Sequence, residues 1–430
     1  MRFAGPQPPR LRSLLAAATL LLSACSSIGP SPTPAPTPTP AIAPPPTAGP
    51  SPTPEDPQAV YARIASQVEA IRGLMPKSDI TPVLLDQAQL TANLTADFDK
   101  SNPPQLVEDS QRELIALGLI PAGSSLRTLV LALQAGQVAG YYSRHDKQLF
   151  VVSKTGGVGP VQQVTYSHEF THELQDQNFG LSKLDLQATD QGDRSLARLS
   201  LVEGDAVATQ STWMSTNLDQ QQLTQVLAAS LDPVALQALQ SAPVILQQTS
   251  LFPYTSGLAF VQTLLAQGGE AAVNAAFGDP PASTEQILHP AKYLAHEMPV
   301  TVSVPGNVAQ HLGTGWTEES RDTLGEFQLR VWLAQGGVPA AQATTAAAGW
   351  GGDRLVELFG PSGATELAIV TAWDTPADAD EFAAAVTTAL AGYAQSGGIP
   401  SARSAHTAGS STASIVIGPE VDQILGLLPS

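Results

Sequence analysis

A single cysteine, Cys25, occurs among the 430 residues, so no disulfide can form within one molecule. Basic residues are also scarce: 20 Lys and Arg stand against 38 Asp and Glu, a formal net charge of −18. That balance speaks against a nucleic-acid partner and against docking to an anionic membrane face by charge. A membrane-spanning run is missing near the amino terminus, where the apolar stretch Leu14–Leu22 falls short of the ~20 residues a transmembrane helix needs. Charged residues are only 13% of the chain and hydrophobic ones 43%, enough apolar material for a sizeable core.

The short apolar stretch has another use. It follows a segment with three arginines, Arg2, Arg10 and Arg12, and leads into Leu22-Ser23-Ala24-Cys25. A basic start, a short apolar run and small residues before a break are the parts of a secretion signal. Leu-Ser-Ala-Cys also resembles the bacterial lipobox, which implies cleavage before Cys25 and lipid attachment there, so residues 1–25 are expected to be a lipoprotein signal peptide. From 26 to 57 the chain is nearly all Pro, Thr, Ser and Ala, a composition that cannot bury a core and predicts an extended tether. At about 3.1 Å per residue in polyproline II, such a tether could hold a domain up to about 90 Å from a bilayer. The expected location is extracytoplasmic, on a bacterial membrane through lipidated Cys25. The alternative is an ordinary secreted protein with one stray thiol.

The chemistry concentrates in Tyr166-Ser167-His168-Glu169-Phe170-Thr171-His172-Glu173-Leu174, an H-E-x-x-H pattern in a stretch that reads as helix. Two histidines four apart lie on one helical face about one turn apart, so both imidazoles can reach the same cation. Zinc lowers the pKa of a bound water to about 7, and a carboxylate such as Glu169 can take its proton. A zinc hydrolase with metal ligands His168 and His172 and catalytic Glu169 is therefore expected. Glu169 also separates this reading from a structural zinc site, which would fill its fourth position with protein and need no free carboxylate. The alternative function is a non-catalytic surface lipoprotein whose zinc site serves a binding or adhesion module.

A third protein ligand is needed, and its candidates follow the motif. Asp176, Asp185, Asp190, Asp193 and Asp205 compete with Glu203, which sits in Leu201-Val202-Glu203-Gly204-Asp205-Ala206 within a predicted helix Ser195–Met214. If that helix returns antiparallel, Leu196, Leu199, Glu203, Ala206 and Val207 share one face, and Glu203 is the carboxylate in an apolar stripe. Metal would remove the cost of burying it; the competing reading pairs Glu203 with Arg194 or Arg198. At this point the chain resembles gluzincins. His168, Glu169, His172 and Glu203 match the two ligands, the base and the third ligand of that class, with 30 residues between His172 and Glu203. The thermolysin-like branch has an Asp four residues after the ligand Glu to support a histidine, whereas this chain has Val207, so Asp205 is expected to take that role or the support is built differently. The hairpin, the H-E-x-x-H segment and Val-Glu-Gly-Asp together resemble uncharacterised bacterial sequences described as metallopeptidases, over roughly residues 105–375.

The resemblance implies a zincin-like body over 58–299, zinc as cofactor, and a peptide or protein substrate. Runs Gln58–Leu74, Gln105–Leu117 and Ser124–Gln134 read as scaffold helices. Val138–Tyr142 and Gln148–Ser153 read as a hairpin whose edge strand lies over the motif helix; His145 in its turn is not counted as a ligand. Leu223–Gln240 is predicted helical with a break at Asp232-Pro233, and Ser256–Ala266 is predicted as a helix following Phe252-Pro253-Tyr254. Gluzincin-like sites often use a His or Tyr from another segment to stabilise an oxyanion, and Tyr254, His289 and Tyr293 are available; Tyr254 and His289 are the chosen candidates, a hydrogen-bonded structural His289 being the alternative. From 300 to 430, short β runs, predicted helices Glu319–Ala334, Gln342–Ala348 and Asp378–Tyr393, and two core tryptophans, Trp350 and Trp373, predict a smaller domain. The expected fold class is α+β: a mostly helical body with a small β-hairpin or sheet, and a smaller C-terminal α+β domain.

Overall fold

The computed structural model describes residues 55–79, 81–153 and 157–430. The signal segment, Cys25 and the tether up to residue 54 lie outside the described residues. Among the described residues no helix is long and apolar enough to cross a membrane.

The fold is α+β, a helical body with two small sheets. The body opens with α1 (Pro57–Arg72), β1 (Val83–Leu85), α2 (Gln87–Ser101), α3 (Pro104–Ala116) and α4 (Leu126–Gln137). The hairpin follows as β2 (Gly140–Ser143) and β3 (Gln148–Val152), then α5 (Pro160–Phe179) and α6 (Gly192–Asn217). Helices α7 (Gln220–Ser230), α8 (Pro233–Ser241), α9 (Val244–Gly278), α10 (Thr284–Leu288) and α11 (Pro290–Leu294) complete it. The second part holds α12 (Val308–His311), β4 (Thr317–Asp322), α13 (Gly325–Gln335), α14 (Ala340–Ala347), β5 (Trp350–Phe359), β6 (Thr365–Trp373), α15 (Pro376–Ser396), β7 (Ala402–Ala405), β8 (Thr412–Ile417) and α16 (Val421–Ile424).

In the first sheet the order is β1-β3-β2, with β1 parallel and β2 antiparallel to β3, so β2 is an edge. The backbone of β2 lies close against α5. A Cβ on Gly140 would stand 2.5 Å from Thr165 Cγ2, so only glycine permits this approach. The second sheet is antiparallel, β4-β5-β6-β8-β7. One of its faces joins the main core through Leu355, Leu367, Ile369 and Ile415, packed with Phe327, Trp332 and Phe382. The opposite face closes a smaller core with Val304, Val308 and Ile424. Trp350 and Trp373 are buried in the main core.

Three local differences from the sequence expectation have clear causes. Helix α9 runs through Pro253; its irregular backbone falls at Gly268 and Gly269, the latter in the left-handed region at φ 61°. Helix α2 and strand β1 were not anticipated, since Leu90, Leu94 and Phe98 are the sparse apolar residues α2 buries, and β1 has only three residues. The run from Glu319 begins as strand β4, paired with β5, and turns helical at Gly325, whose φ of 75° no larger residue readily adopts.

Candidate metal centre

Helix α5 is an unusual carrier, because every residue from Val164 to Asp176 is buried although many are polar. Burying hydroxyls inside a helix requires partners. Thr165 Oγ1, Ser167 Oγ and Thr171 Oγ1 donate to the carbonyls of Val161, Val164 and Ser167 at 3.0, 2.8 and 2.8 Å. The helix starts with Pro160 in its first turn and ends at Gly180, left-handed at φ 76°, whose N–H donates to Asp176 O at 2.9 Å.

Helix α6 runs antiparallel to α5. Gln210 Nε2 reaches Val164 O at 3.3 Å, Glu203 lies against His168 and His172, and Gln175 Nε2 donates to Val202 O at 3.0 Å. At the centre of that contact three ligand atoms form a nearly equilateral triangle. His168 Nε2 is 3.1 Å from His172 Nε2 and 3.2 Å from Glu203 Oε2, and His172 Nε2 is 3.3 Å from the same oxygen. A cation bound at 2.0–2.1 Å by each of three tetrahedrally disposed ligands puts them about 3.3 Å apart, so the triangle has the edge lengths of a zinc site.

The donor set fits in its chemistry as well. Gln175 Nε2 donates to Val202 O and to Asp205 Oδ2 (2.8 Å), which fixes the amide so that its oxygen faces His172 Nδ1 at 2.9 Å. Nδ1 must therefore carry the hydrogen. In a neutral imidazole that leaves the lone pair on Nε2, pointing into the triangle. Asp205 is held in turn by the fully buried Arg72, Nε to Oδ1 2.8 Å, and Arg72 Nη1 stands 2.7 Å from Glu270 Oε2. Asp205 thus supports His172, the role the sequence expected of it, but does so through Gln175 and with Arg72 behind it, two residues that sequence reasoning missed because α1, α5 and α6 must meet to bring them together.

Electrostatics repeat the pattern. Burial alone would raise the Glu203 carboxyl, but the charge of His172 and hydrogen bonds from both histidines hold it well below the usual range. Burial also lowers His168, only partly opposed by Glu203. His172, against the same desolvation, is pushed up to about 9 by Glu203. Without a cation the triangle accommodates three lone-pair-bearing atoms only by trapping a proton, and a divalent ion would replace that proton.

Glu169, the residue after the first histidine, is buried, and burial pushes its carboxyl up to about 8 despite the charge of His172 and a hydrogen bond from the Tyr142 backbone. That bond comes from the outer edge of β2, since the residues flanking Tyr142 face β3: Val152 N donates to Ala139 O at 2.9 Å. The Tyr254 ring stacks near His168, centroids 6.2 Å apart. What brings it there is a close crossing of α6 and α9, where a Cβ on Gly204 would fall 2.2 Å from Gly257 O and one on Gly257 2.2 Å from Ser200 O.

Other candidates go elsewhere. Asp176 accepts from Tyr142 Oη (3.0 Å) and Leu181 N (3.1 Å) and pairs with Lys147. Asp185 pairs with Arg194 at 3.0 Å, and Asp193 binds Thr284 N at 3.1 Å. Arg198 donates to Leu184 O, so neither arginine holds Glu203. His289 faces Glu326, Nε2 to Oε1 3.0 Å, and its charged neighbours Glu326, Glu285 and Lys292 are not members of the triangle. The structure therefore places Tyr254 by the site and His289 in a different cluster. Tyr293 Oη donates to Asp279 O. Sequence reasoning also passed over Arg144, in the hairpin turn just past β2, on which Glu203 and Asp176 act as the nearby negative charges.

Comparison with known proteins adds one finding. A family model described as a domain of unknown function (DUF8575) matches residues 310–426, which is the second sheet and its helices and leaves out the triangle. Searches of curated proteins and of solved structures found no match.

Proposed function

We propose that the chain is a zinc-dependent peptide hydrolase of gluzincin type, working outside the cytoplasm on a bacterial membrane to which lipidated Cys25 ties it. The observation that carries this reading is the triangle of His168, His172 and Glu203 at 3.1–3.3 Å, with Glu169 on the same helix. The three residues would hold the ion, and zinc, when bound, supplies Lewis-acid activation of water.

Everything else is assigned to the chain itself. Glu169 takes the proton of the attacking water and returns it to the leaving amine. Its burial suits that exchange, because desolvation raises the carboxyl toward the range in which a group both releases and accepts a proton near neutrality. The backbone N–H of Tyr142 steers the carboxylate, Gln175 keeps His172 in the binding tautomer, and Tyr254 covers the His168 side of the site. His289 has no part in the chemistry.

Glu169→Gln in the full chain should retain zinc in full stoichiometry while losing about 10²–10⁴ in turnover on a broad peptide library. Undiminished hydrolysis by that variant would remove Glu169 from the chemistry. A zinc-loaded parent that cleaves nothing in the library would leave the site to a structural role in a binding or adhesion protein.

A further inference from the structure

Described arginines in this protein are held in place, with one exception. Arg63, Arg72, Arg112, Arg127, Arg194, Arg321 and Arg403 pair with carboxylates. Arg198 and Arg354 donate to carbonyls, and Arg330 lies over the Phe327 ring. Arg144 has no hydrogen bond, ion pair or ring contact among the described residues, although it is half-buried in the hairpin turn just past β2. None of its nitrogens is sealed from water without a partner, so the five donors stay open to an incoming acceptor, while burial pushes its pKa below the ordinary arginine value.

Its position says what could satisfy it. Arg144 follows Tyr142 by two residues, about 7 Å along extended backbone, and Tyr142 N–H is the group that holds Glu169. The negative charges acting on Arg144 are Glu203 and Asp176. Asp176 is already occupied by Tyr142, Lys147 and Leu181. Glu203 is engaged by the two histidines, and a divalent ion there would cancel its charge. Arg144 also lines a cleft of about 620 Å³ bounded by β2, α2 and the segment after α5. Asp97 stands on the α2 wall of that cleft, but the charges that act on it are Asp146, Lys100 and His145, not Arg144.

We propose that Arg144 is the specificity-determining residue of this site and receives a carboxylate of the substrate, so that the protein cuts peptides one or two residues before an anionic group. The assignment rests on the hydrolase reading and adds the substrate class to it. A carboxylate matches the guanidinium fork with two parallel hydrogen bonds. The anion is either the free C-terminal α-carboxylate, which makes the enzyme trim short C-terminal fragments, or the side chain of Asp or Glu.

The test uses zinc-loaded full-length protein and octapeptides randomised over residues other than Asp and Glu in three forms: free acids, C-terminal amides, and amides with Glu at the last position. Cleavage sites are read by mass spectrometry, and kcat and KM are measured on the best sequences. Free acids should exceed plain amides by about tenfold or more in kcat/KM, with cuts within two residues of the carboxylate. Recovery in the Glu-ended amides would assign the recognition to any carboxylate; its absence would assign it to the chain terminus. Arg144→Gln should erase the preference mainly through KM, and Arg144→Lys should keep part of it. Plain amides cleaved as well as free acids by the parent would overturn the proposal with no variant needed. So would an Arg144→Gln loss confined to kcat and equal for all three forms, which would be the mark of oxyanion stabilisation. Failure of the parent to cleave any form would instead bring down the hydrolase reading itself.

Discussion

Among the described residues, two places gather three potential metal ligands within reach of one another: His168, His172 and Glu203 between α5 and α6, and Glu285, Glu297 and Asp374 around α10, α11 and the end of β6. Their centres differ. In the second cluster Lys292 Nζ is already there, 2.7 Å from Glu285 and 2.6 Å from Glu297, and paired with Asp374. Burial would lower that lysine, but its three carboxylates hold it above its ordinary value. In the first cluster no lysine or arginine among the described residues enters, and Gln175 turns the His172 lone pair inward, which leaves room for a cation from outside the chain. Ligand proximity is thus shared by both, and the cation that the chain itself supplies is what separates a structural clamp from a candidate metal centre. Glu366 shows a third way to bury a carboxylate, with a hydrogen bond from Glu420 N at 2.8 Å and no lysine, arginine or histidine among the groups that act on it.

The comparison breaks most visibly in metal affinity. Glu203→Ala should weaken zinc binding by orders of magnitude in a calorimetric titration, whereas Glu285→Ala and Asp176→Ala should leave affinity and stoichiometry nearly as in the parent. The reverse ranking would transfer the metal to the other cluster. A smaller effect is expected from Gln175→Leu, which keeps all three ligands but frees the His172 tautomer; zinc affinity should drop about 10- to 100-fold.

Lys292→Met sharpens the other side. Removing the cation leaves three facing carboxylates, one buried and two exposed, and should cost about 1–2 kcal/mol in denaturant unfolding, less than a fully buried pair would. Millimolar calcium should return part of that loss in the variant and do nothing comparable in the parent.

The smallest effect concerns Glu366, whose carboxyl burial pushes up to about 7. Its folded pKa is above its unfolded value of about 4.3, so the native state binds more protons between the two and stability falls as pH rises through that window. Above about 7 the loss is complete. Glu366→Gln should flatten the thermal-melting profile between pH 4.5 and 7, its amide oxygen still able to accept from Glu420 N. A profile unchanged by the substitution would show that the backbone hydrogen bond alone stabilises the ionised form.

How much of this was legible depends on the distance over which each signal acts. His168 and His172 are four apart on a helix, so their shared face follows from helical geometry. Glu203 is readable from its place in an apolar stripe of α6, given antiparallel return. Tyr254 was reachable as an aromatic group just ahead of a predicted downstream helix, though the reason it arrives, the Gly204–Gly257 crossing, is invisible in either segment alone. His289 was indistinguishable from Tyr254 in sequence, because a histidine in a polar loop carries no mark of which carboxylate it will meet; Glu326 is 37 residues away. Arg144 gave no local signal either, since an arginine in a hairpin turn ordinarily faces water.

The sequence by itself determined the α+β class, the motif helix, the hairpin before it and the apolar stripe containing Glu203, all consequences of periodicity and of turn residues acting over a few positions. Only the tertiary structure decided which carboxylates meet which cations. The relay from Arg72 through Asp205 and Gln175 to His172, the lysine inside the second cluster and the unpaired guanidinium of Arg144 each join elements far apart in the chain. A charge is satisfied by whatever group packing brings within hydrogen-bond reach, and sequence spacing does not encode that.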